Sequence, residues 1–265
     1  MFNFLQIPRL IDPIYSETIF TIFGFKINNS TIFSIFVLFL FAFICFFVIR
    51  KFKIKPGKIQ IAIEIIYGLI ENFILQITNS KKETKTILPF IGAIFLFVLF
   101  SNLLGILPGL TNITYDGKAL FRIPTSDFST TFILAFASFI IIQIISIKDF
   151  GIFGYIGKFI KIKELYLGFK NSFKQGALSV VVFFVGFLDI IGEFAKLASI
   201  SLRLFGNMYA GIVLATVISG IMAYGLPSFL VAIGLLVGIV QAIVFSALIT
   251  IYYTLAVKIN TTKDQ

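Results

Sequence analysis

Long apolar runs without a single charge constrain this chain more than any other feature of its sequence. Hydrophobic residues occupy 58% of its 265 positions and charged residues only 13%. A water-soluble core cannot enclose so many apolar side chains, and several of the runs exceed the roughly 18 residues that indicate a membrane span. The sequence therefore predicts an all-α polytopic membrane protein, because helices satisfy their own backbone hydrogen bonds in lipid.

Five runs are long enough to be membrane-embedded helices, at about 32–49, 86–108, 128–147, 178–223 and 228–257. The last two are predicted to form a strongly tilted hairpin, since a helix of about 45 residues would measure roughly 65 Å, about twice the hydrocarbon thickness. We expect one membrane domain, 31–258, between an external N-terminal segment, 1–30, and a cytoplasmic tail, 259–265.

The segments between the runs differ from them in composition. Residues 58–78 carry polar side chains at mostly three- to five-residue steps and apolar side chains elsewhere, which predicts an amphipathic helix in the membrane interface. Turn residues near Pro108-Gly109 and Asp116-Gly117 predict a surface loop over 109–127. Residues 148–174 are predicted to form a basic connector that is too polar to cross the membrane.

Basic residues are distributed unequally among the segments outside the spans. Most lie in 50–58, 81–85, 148–174 and the C-terminal tail, whereas the opposite side has Arg9, Lys26, Lys118 and Arg122. The positive-inside rule places the richer side in the cytoplasm and the N-terminus outside. Because the charges cluster beside apolar runs, the net charge of +10 reflects topology, and no nucleic-acid partner is expected.

Composition excludes several kinds of site. The chain has no histidine and one cysteine, Cys45, so disulfides, CxxC metal sites, histidine ligands and Ser-His triads are ruled out. No phosphate loop of the form GxxxxGK followed by Ser or Thr occurs. We therefore expect no metal, cofactor or nucleotide site on this chain.

A stripe of polar residues is predicted on one face of the fourth span. Steps of 4, 3, 7 and 4 residues return near the same helix face and join Asp189, Glu193, Lys196, Arg203 and Asn207. One alternative is that the first three only pair with one another at the helix entrance, since these spacings commonly form ion pairs. Arg203 differs, because a guanidinium stays charged and its insertion into lipid costs about 2.5–3.5 kcal/mol. We expect it to face something anionic and mobile.

Two further spans carry single polar residues among apolar ones. Asn102 lies at the centre of the second span. In the last span, Gly234, Gly238 and Gln241 follow at steps of 4 and 3, which predicts a groove of small residues ending in an amide that hydrogen-bonds to another helix. Ordinary helix packing is the alternative explanation for the GxxxG pair.

The run Leu202-Arg203-Leu204-Phe205-Gly206-Asn207-Met208-Tyr209-Ala210-Gly211 resembles the signature of subunit a of the F-type ATP synthase. Three other stretches are similar in order and spacing: Pro89 to Pro108, Pro124 to Thr131, and Gln241-Ala242. The resemblance covers roughly residues 30–258.

This resemblance implies a stator subunit that moves ions, with the proton as the expected ion and Na⁺ as the alternative. Arg203 would face the carboxylates of a rotating ring of proteolipid c subunits, between two aqueous half-channels. Other partners would be the peripheral-stalk b subunit and the rest of the synthase. The chain itself would not be an enzyme, and it would lie in a bacterial plasma membrane rather than an organellar inner membrane.

The resemblance also assigns roles to the other polar residues. Asp189 and Glu193 would belong to a half-channel, and Lys196 falls where relatives often have a lysine. Asn102 and Gln241 would line channels or steady the arginine. Lys196 and Asn207 are counted with these four and Arg203 as the residues of ion translocation. Many relatives carry an ionisable residue at two positions where this chain has Ile212 and Gly234. We expect ordered water, or Asp189 and Glu193, to replace that relay.

Two other functions are compatible with a buried arginine. A self-contained ion or solute transporter would use Arg203 as an anion site, but it predicts inverted repeats that the two halves of this chain do not show. A passive assembly scaffold would tolerate the loss of Arg203.

Overall fold

Six long helices form most of the part of the chain that the structure describes. The computed structural model describes residues 2–3, 16–22, 24–50, 57–106, 110, 113–115, 118–159, 173–221 and 226–258. The helices are α1 (Asn29–Arg50), α2 (Lys58–Thr78), α3 (Lys81–Ile106), α4 (Phe128–Phe159), α5 (Phe173–Ile221) and α6 (Leu226–Lys258). Within these described residues, all six contain a segment long and apolar enough to cross a membrane. The predicted all-α polytopic class is confirmed.

The helices divide between two units. The first unit contains Met1–Ile133 and Leu202–Ile251, and the second contains Leu134–Ser201 and Tyr252–Gln265. Helices α4, α5 and α6 therefore each contribute residues to both units.

The core of the first unit forms around α3. Five large apolar residues on this helix are buried, namely Ile87, Leu88, Ile91, Ile94 and Val98. Helix α2 packs on α3 beside a hydrogen bond of 2.7 Å between the Thr78 and Thr84 hydroxyls. Helix α1 packs on the other part of α3, where the rings of Phe41 and Phe100 meet edge to face with centroids 4.9 Å apart.

Helix α2 differs from the others in its polar side chains. Gln60 and Glu64 are hydrogen-bonded to each other at 2.9 Å on its exposed side, and the neighbouring Ile65 is also exposed. The helix ends at Asn79, whose positive φ of 55° reverses the chain into α3. Its position in the membrane interface stays a prediction.

Short strands precede α1 and interrupt the α3–α4 connection, which the apolar pattern does not predict. A hairpin pairs β2 (Thr18–Ile22) with β3 (Phe25–Asn28) through Gly24, whose φ of 84° favours glycine. A second small sheet has the order β1 (Phe2–Asn3), β4 (Thr114–Tyr115) and β5 (Lys118–Ala119).

The prediction that residues 109–127 form a surface loop is wrong for residues 122–127. Residues 122–127 are buried, and Pro124–Ser126 form a 3-10 turn that contacts both α1 and α3. Gly105 makes this possible, because a Cβ at that position would clash with Ile123 Cγ1. The absence of a side chain at Gly105 on α3 thus makes room for the loop. Turn residues in the sequence do not predict this packing.

The second unit has its own apolar core. Buried residues from α4, α5 and α6 form it, including Ile142 on α4, Leu197 and Ile200 on α5, and Tyr253 on α6. Helix α4 continues beyond the predicted span to Phe159, with a break at Gly151, where φ is 70°. Helical structure therefore extends into the segment that we expected to be a connector.

Several predicted features lie outside the described residues. They are the turns at Pro108-Gly109 and Asp116-Gly117, the connector from residue 160 to 172, and the tail 259–265.

Candidate functional site

Arg203 lies on an exposed face of α5 in the first unit. Exposed residues follow it at helical steps of four, three, four and three, namely Asn207, Ala210, Leu214 and Val217. Leu204 and Met208 on the opposite face are buried. No charged residue occurs in the sequence from Leu204 to Val257. Apart from the Asn207 amide, this exposed face, the α5 stripe, is therefore apolar, with a single cation at one end.

Gln241 on α6 is bonded to the same part of α5. The Asn207 amide Nδ2 donates to Gln241 Oε1 at 2.7 Å, and the Gln241 side chain is only 4% exposed. Asn207 comes one helical turn after Arg203, so the bond ties the two helices together beside the cation. The expectation that Gln241 hydrogen-bonds across to another helix is confirmed.

Asn102 on α3 is fully buried and uses both ends of its amide. Its Nδ2 donates to the backbone oxygen of Gly238 at 3.1 Å, and its Oδ1 accepts from Thr125 Oγ1 at 2.6 Å. A buried amide without such partners would cost about 1–3 kcal/mol. Asn102 therefore joins α6, α3 and the 3-10 turn.

The two glycines on α6 form the groove that receives α3. A Cβ at Gly238 would lie 3.1 Å from the Cβ of Asn102, and a Cβ at Gly234 would lie 3.6 Å from Ile106 Cδ1. Close helix packing therefore explains the GxxxG pair, which was the alternative explanation. The approach it permits also brings the Asn102 amide to the backbone of α6.

The second unit contains the other charged residues of the predicted polar stripe, which are Asp189, Glu193 and Lys196. Lys196 Nζ lies 3.2 Å from Glu193 Oε1, and it also lies 5.5 Å from the ring centroid of Tyr252 on α6. The Lys196 side chain is 36% exposed and the Glu193 side chain 19%. Asp189 is exposed. The ion pair expected from the i,i+3 spacing is present, and a cation–π contact with Tyr252 accompanies it.

The structure therefore brings the predicted residues together in groups. Asn207 and Gln241 are joined beside Arg203. Asn102 bonds to the backbone of Gly238, three residues before Gln241 on α6. Glu193 and Lys196 form their own pair. All five residues of the predicted polar stripe lie on α5.

Three residues near the site were missed as functional candidates by sequence reasoning. Thr125 and Asp127 are buried in the loop that was predicted to lie on the surface, and Tyr252 is one aromatic residue in an apolar run. A signal existed for Asp127, because an acidic residue directly before an apolar run is typical of a helix N-cap. No comparable signal marks Tyr252.

Ile212 and Gly234 occupy the two positions at which this chain lacks an ionisable residue. Neither has a charged neighbour in the sequence that could replace it. Ile212 is half-buried on α5, and Gly234 packs against Ile106. The nearest charged residue to Ile212 along the chain is Arg203 itself.

Comparison with known families matches residues 31–254 of the chain to the ATP synthase A chain. It is 30% identical over 219 residues to ATP synthase subunit a 2 of Picosynechococcus, covering 82% of this chain and 80% of the relative. It is 29% identical over 245 residues to ATP synthase subunit a of Albidiferax ferrireducens, covering 91% and 92%. With ATP synthase subunit a of Protochlamydia amoebophila the identity is 26% over 264 residues, covering 95% and 89%.

Proposed function

Because the chain belongs to the ATP synthase A chain family, we propose that it is the ion-translocating stator subunit of a rotary F-type ATP synthase. The expected ion is the proton. The observation that carries the proposal is the exposed stripe on α5, in which Arg203 is the only charge beside apolar residues.

A permanently charged guanidinium on a largely apolar surface is stabilised by an anionic group when that surface is covered. Two unit charges 4 Å apart attract each other by about 4 kcal/mol at an effective dielectric constant of 20. A rotor ring whose carboxylates pass the α5 stripe would supply such a counterpart, one carboxylate at a time. Each arriving carboxyl group would release its proton to the exit half-channel and stay ionised while it is beside Arg203.

The fixed charge would also separate two half-channels. A permanently positive side chain repels cations that would otherwise pass directly from one half-channel to the other. Ions would then cross only with the ring. Each unit charge that crosses 100 mV provides about 2.3 kcal/mol, which would turn the ring and drive synthesis on other subunits.

We assign the remaining polar residues by their positions. The Asn207–Gln241 bond and the Asn102 contacts would hold the helices beside Arg203 in one arrangement. Asp189, Glu193 and Lys196 in the second unit would line a half-channel, where the Glu193–Lys196 pair provides polar groups among apolar ones.

The proposed partners follow from the same model of function. They are the ring of c subunits, the peripheral-stalk b subunit and the other subunits of the synthase. The chain would be a non-catalytic, multi-pass protein of a bacterial plasma membrane, with its N-terminus outside and its C-terminus in the cytoplasm.

The test is Arg203→Ala in membrane vesicles that contain the assembled synthase. We expect ion-driven ATP synthesis to be lost while the c ring and the b subunit still co-purify with the chain, because only the charge opposite the ring is removed. The matched control is Arg50→Ala, since Arg50 is also an exposed arginine on a long apolar helix and stacks over Phe46 at 4.2 Å. Arg50→Ala should retain synthesis. Retained coupled synthesis in Arg203→Ala would refute the proposal.

A further inference from the structure

Asp127 is a buried carboxylate outside the residues assigned above. It lies between the 3-10 turn and α4 and is only 3% exposed. A buried carboxylate is stable only when donors surround it. Among the described residues, donors to it include the Ser30 hydroxyl at 2.7 Å, the Thr130 hydroxyl at 3.4 Å and the Ser129 backbone N–H at 3.4 Å.

These donors come from the first turns of two helices. Ser30 is the second residue of α1, while Ser129 and Thr130 are the second and third residues of α4. The backbone oxygen of Asp127 also accepts from the Thr131 N–H at 3.1 Å, so Asp127 is the N-cap of α4. The positive ends of both helix dipoles therefore favour this one carboxylate, which joins α1 to α4.

From Asp127, one series of contacts leads through the 3-10 turn to α6. The Asp127 N–H donates to Pro124 O at 3.1 Å and closes the turn that presents Thr125 to Asn102. Asn102 in turn donates to Gly238 O, one helical turn before Gln241. Gln241 then bonds to Asn207 beside Arg203.

A second series of contacts leads through the aromatic residues of α4 and α5. Phe128 directly follows Asp127, and its ring meets the ring of Phe205 edge to face, with centroids 5.8 Å apart. Phe205 is two residues after Arg203 and stacks on Tyr209 at 5.4 Å. A shift of the first turn of α4 would therefore be transmitted to the turn of α5 that carries Arg203.

We propose that Asp127 is a positioning residue for Arg203: by joining the first turns of α1 and α4, it holds the Thr125–Asn102 contact and the Phe128–Phe205 contact in register. This inference rests on the function proposed for Arg203. Its burial and its three hydrogen-bond donors fit a structural role for the Asp127 carboxylate.

The experiment compares Asp127→Ala with Asp127→Asn, measuring ion-driven ATP synthesis per assembled complex. Asn is as good an N-cap as Asp, and its Nδ2 can donate to the Ser30 hydroxyl, so we expect synthesis to fall no more than about twofold. Ala removes all three hydrogen bonds, and we expect a loss of about tenfold or more. If Asn were as inactive as Ala, the charge itself would be needed and the inference would be wrong. Normal synthesis in Asp127→Ala would also overturn it.

A register measurement separates positioning from general loss of stability. The pair Ile106→Cys and Gly234→Cys, introduced together with Cys45→Ser, probes α3 against α6, because Ile106 Cδ1 lies 3.6 Å from a Cβ at Gly234. We expect Asp127→Ala to lower the yield of this disulfide and Asp127→Asn to leave it unchanged. An unchanged yield in an inactive Asp127→Ala would contradict the proposed route through α3.

Ser30→Ala keeps the inference testable if Asp127→Ala does not assemble. It removes one hydrogen bond to the carboxylate, and we expect synthesis to fall about threefold with a lower disulfide yield. No change in either quantity would overturn the inference. Arg203→Ala in the same preparation distinguishes the two proposals: if it makes ATP normally, the proposed function fails, whereas the disulfide yield still reports on Asp127.

Discussion

Gln241 and Asn207 form a hydrogen bond whose two ends differ in environment. Gln241 is almost fully buried, whereas Asn207 is exposed on the α5 stripe. A buried amide that loses its partner has no water to replace it, while an exposed amide can find other partners. The cost of breaking the bond therefore depends on which residue is removed.

We predict that Asn207→Leu destabilises the protein more than Gln241→Leu does. The first leaves the buried Gln241 amide without its partner, at a cost of about 1–3 kcal/mol, whereas the second removes the buried polar group itself. Thermal denaturation of the purified complex measures the difference, and the double substitution should cost less than the sum of the single ones by about 1 kcal/mol.

Gln76→Leu is the control for this cycle, because Gln76 is an exposed amide on α2 and should change the denaturation temperature little. Additive effects of Asn207→Leu and Gln241→Leu would mean that the 2.7 Å contact does not contribute to stability.

At the scale of elements, glycine positions on α3 decide how closely neighbours approach. Gly105 and Gly92 are both buried on this helix. A Cβ at Gly105 would clash with the Ile123 side chain, whereas a Cβ at Gly92 would have nothing within 4 Å. The loop that carries the 3-10 turn therefore depends on Gly105, and the packing of Thr125 and Asp127 follows from it.

We predict opposite effects for the same substitution at these two glycines. Gly105→Ala should destabilise the protein by about 1–3 kcal/mol, because overpacking forces Ile123 and the loop to move. Gly92→Ala should be neutral or stabilising by up to about 1 kcal/mol, because Ala favours helix more than Gly does.

Thermal denaturation of both variants checks this, and Ile123→Ala should partly rescue Gly105→Ala by removing the side-chain atoms that clash. A Gly105→Ala protein as stable as Gly92→Ala would show that the loop adjusts without cost.

At the scale of the whole molecule, exposed apolar side chains define the surface of the helices. On α1, for example, Phe39 is 72% exposed and Phe43 62%. In water such a surface would drive aggregation, whereas in lipid it is ordinary. The multi-pass membrane assignment thus agrees with the distribution of the side chains.

We predict the orientation of the chain from its basic residues. With Cys45→Ser as background, Lys118→Cys should react with a membrane-impermeant maleimide added outside intact cells, because residue 118 is expected on the outer side of the membrane. Lys82→Cys should react only after the membrane is opened. Both lysines are exposed, so access to water rather than burial decides the result. The reverse pattern of labelling would invert the proposed topology.

The sequence by itself determined the class of this protein and its central residue. Runs such as 128–147 can be stable only in lipid, and the free energy of transferring them depends on their own composition. The isolation of Arg203 is likewise visible along the chain, because a charge among apolar residues needs no neighbour in space to be recognised. The signature around Arg203 led to the family that the comparisons then showed.

Only the tertiary structure decided how the polar residues are combined. Asn102 was expected to line a channel or steady the arginine, but its bonds to Gly238 and Thr125 depend on the rotation and axial shift of α3 against α6. The burial of Asp127 depends on the absence of a side chain at Gly105 and on the hydrogen bond from Ser30, which lies 97 residues earlier in the chain. Such contacts arise between segments distant in sequence, and helix periodicity constrains which face a residue occupies but not which partner it meets.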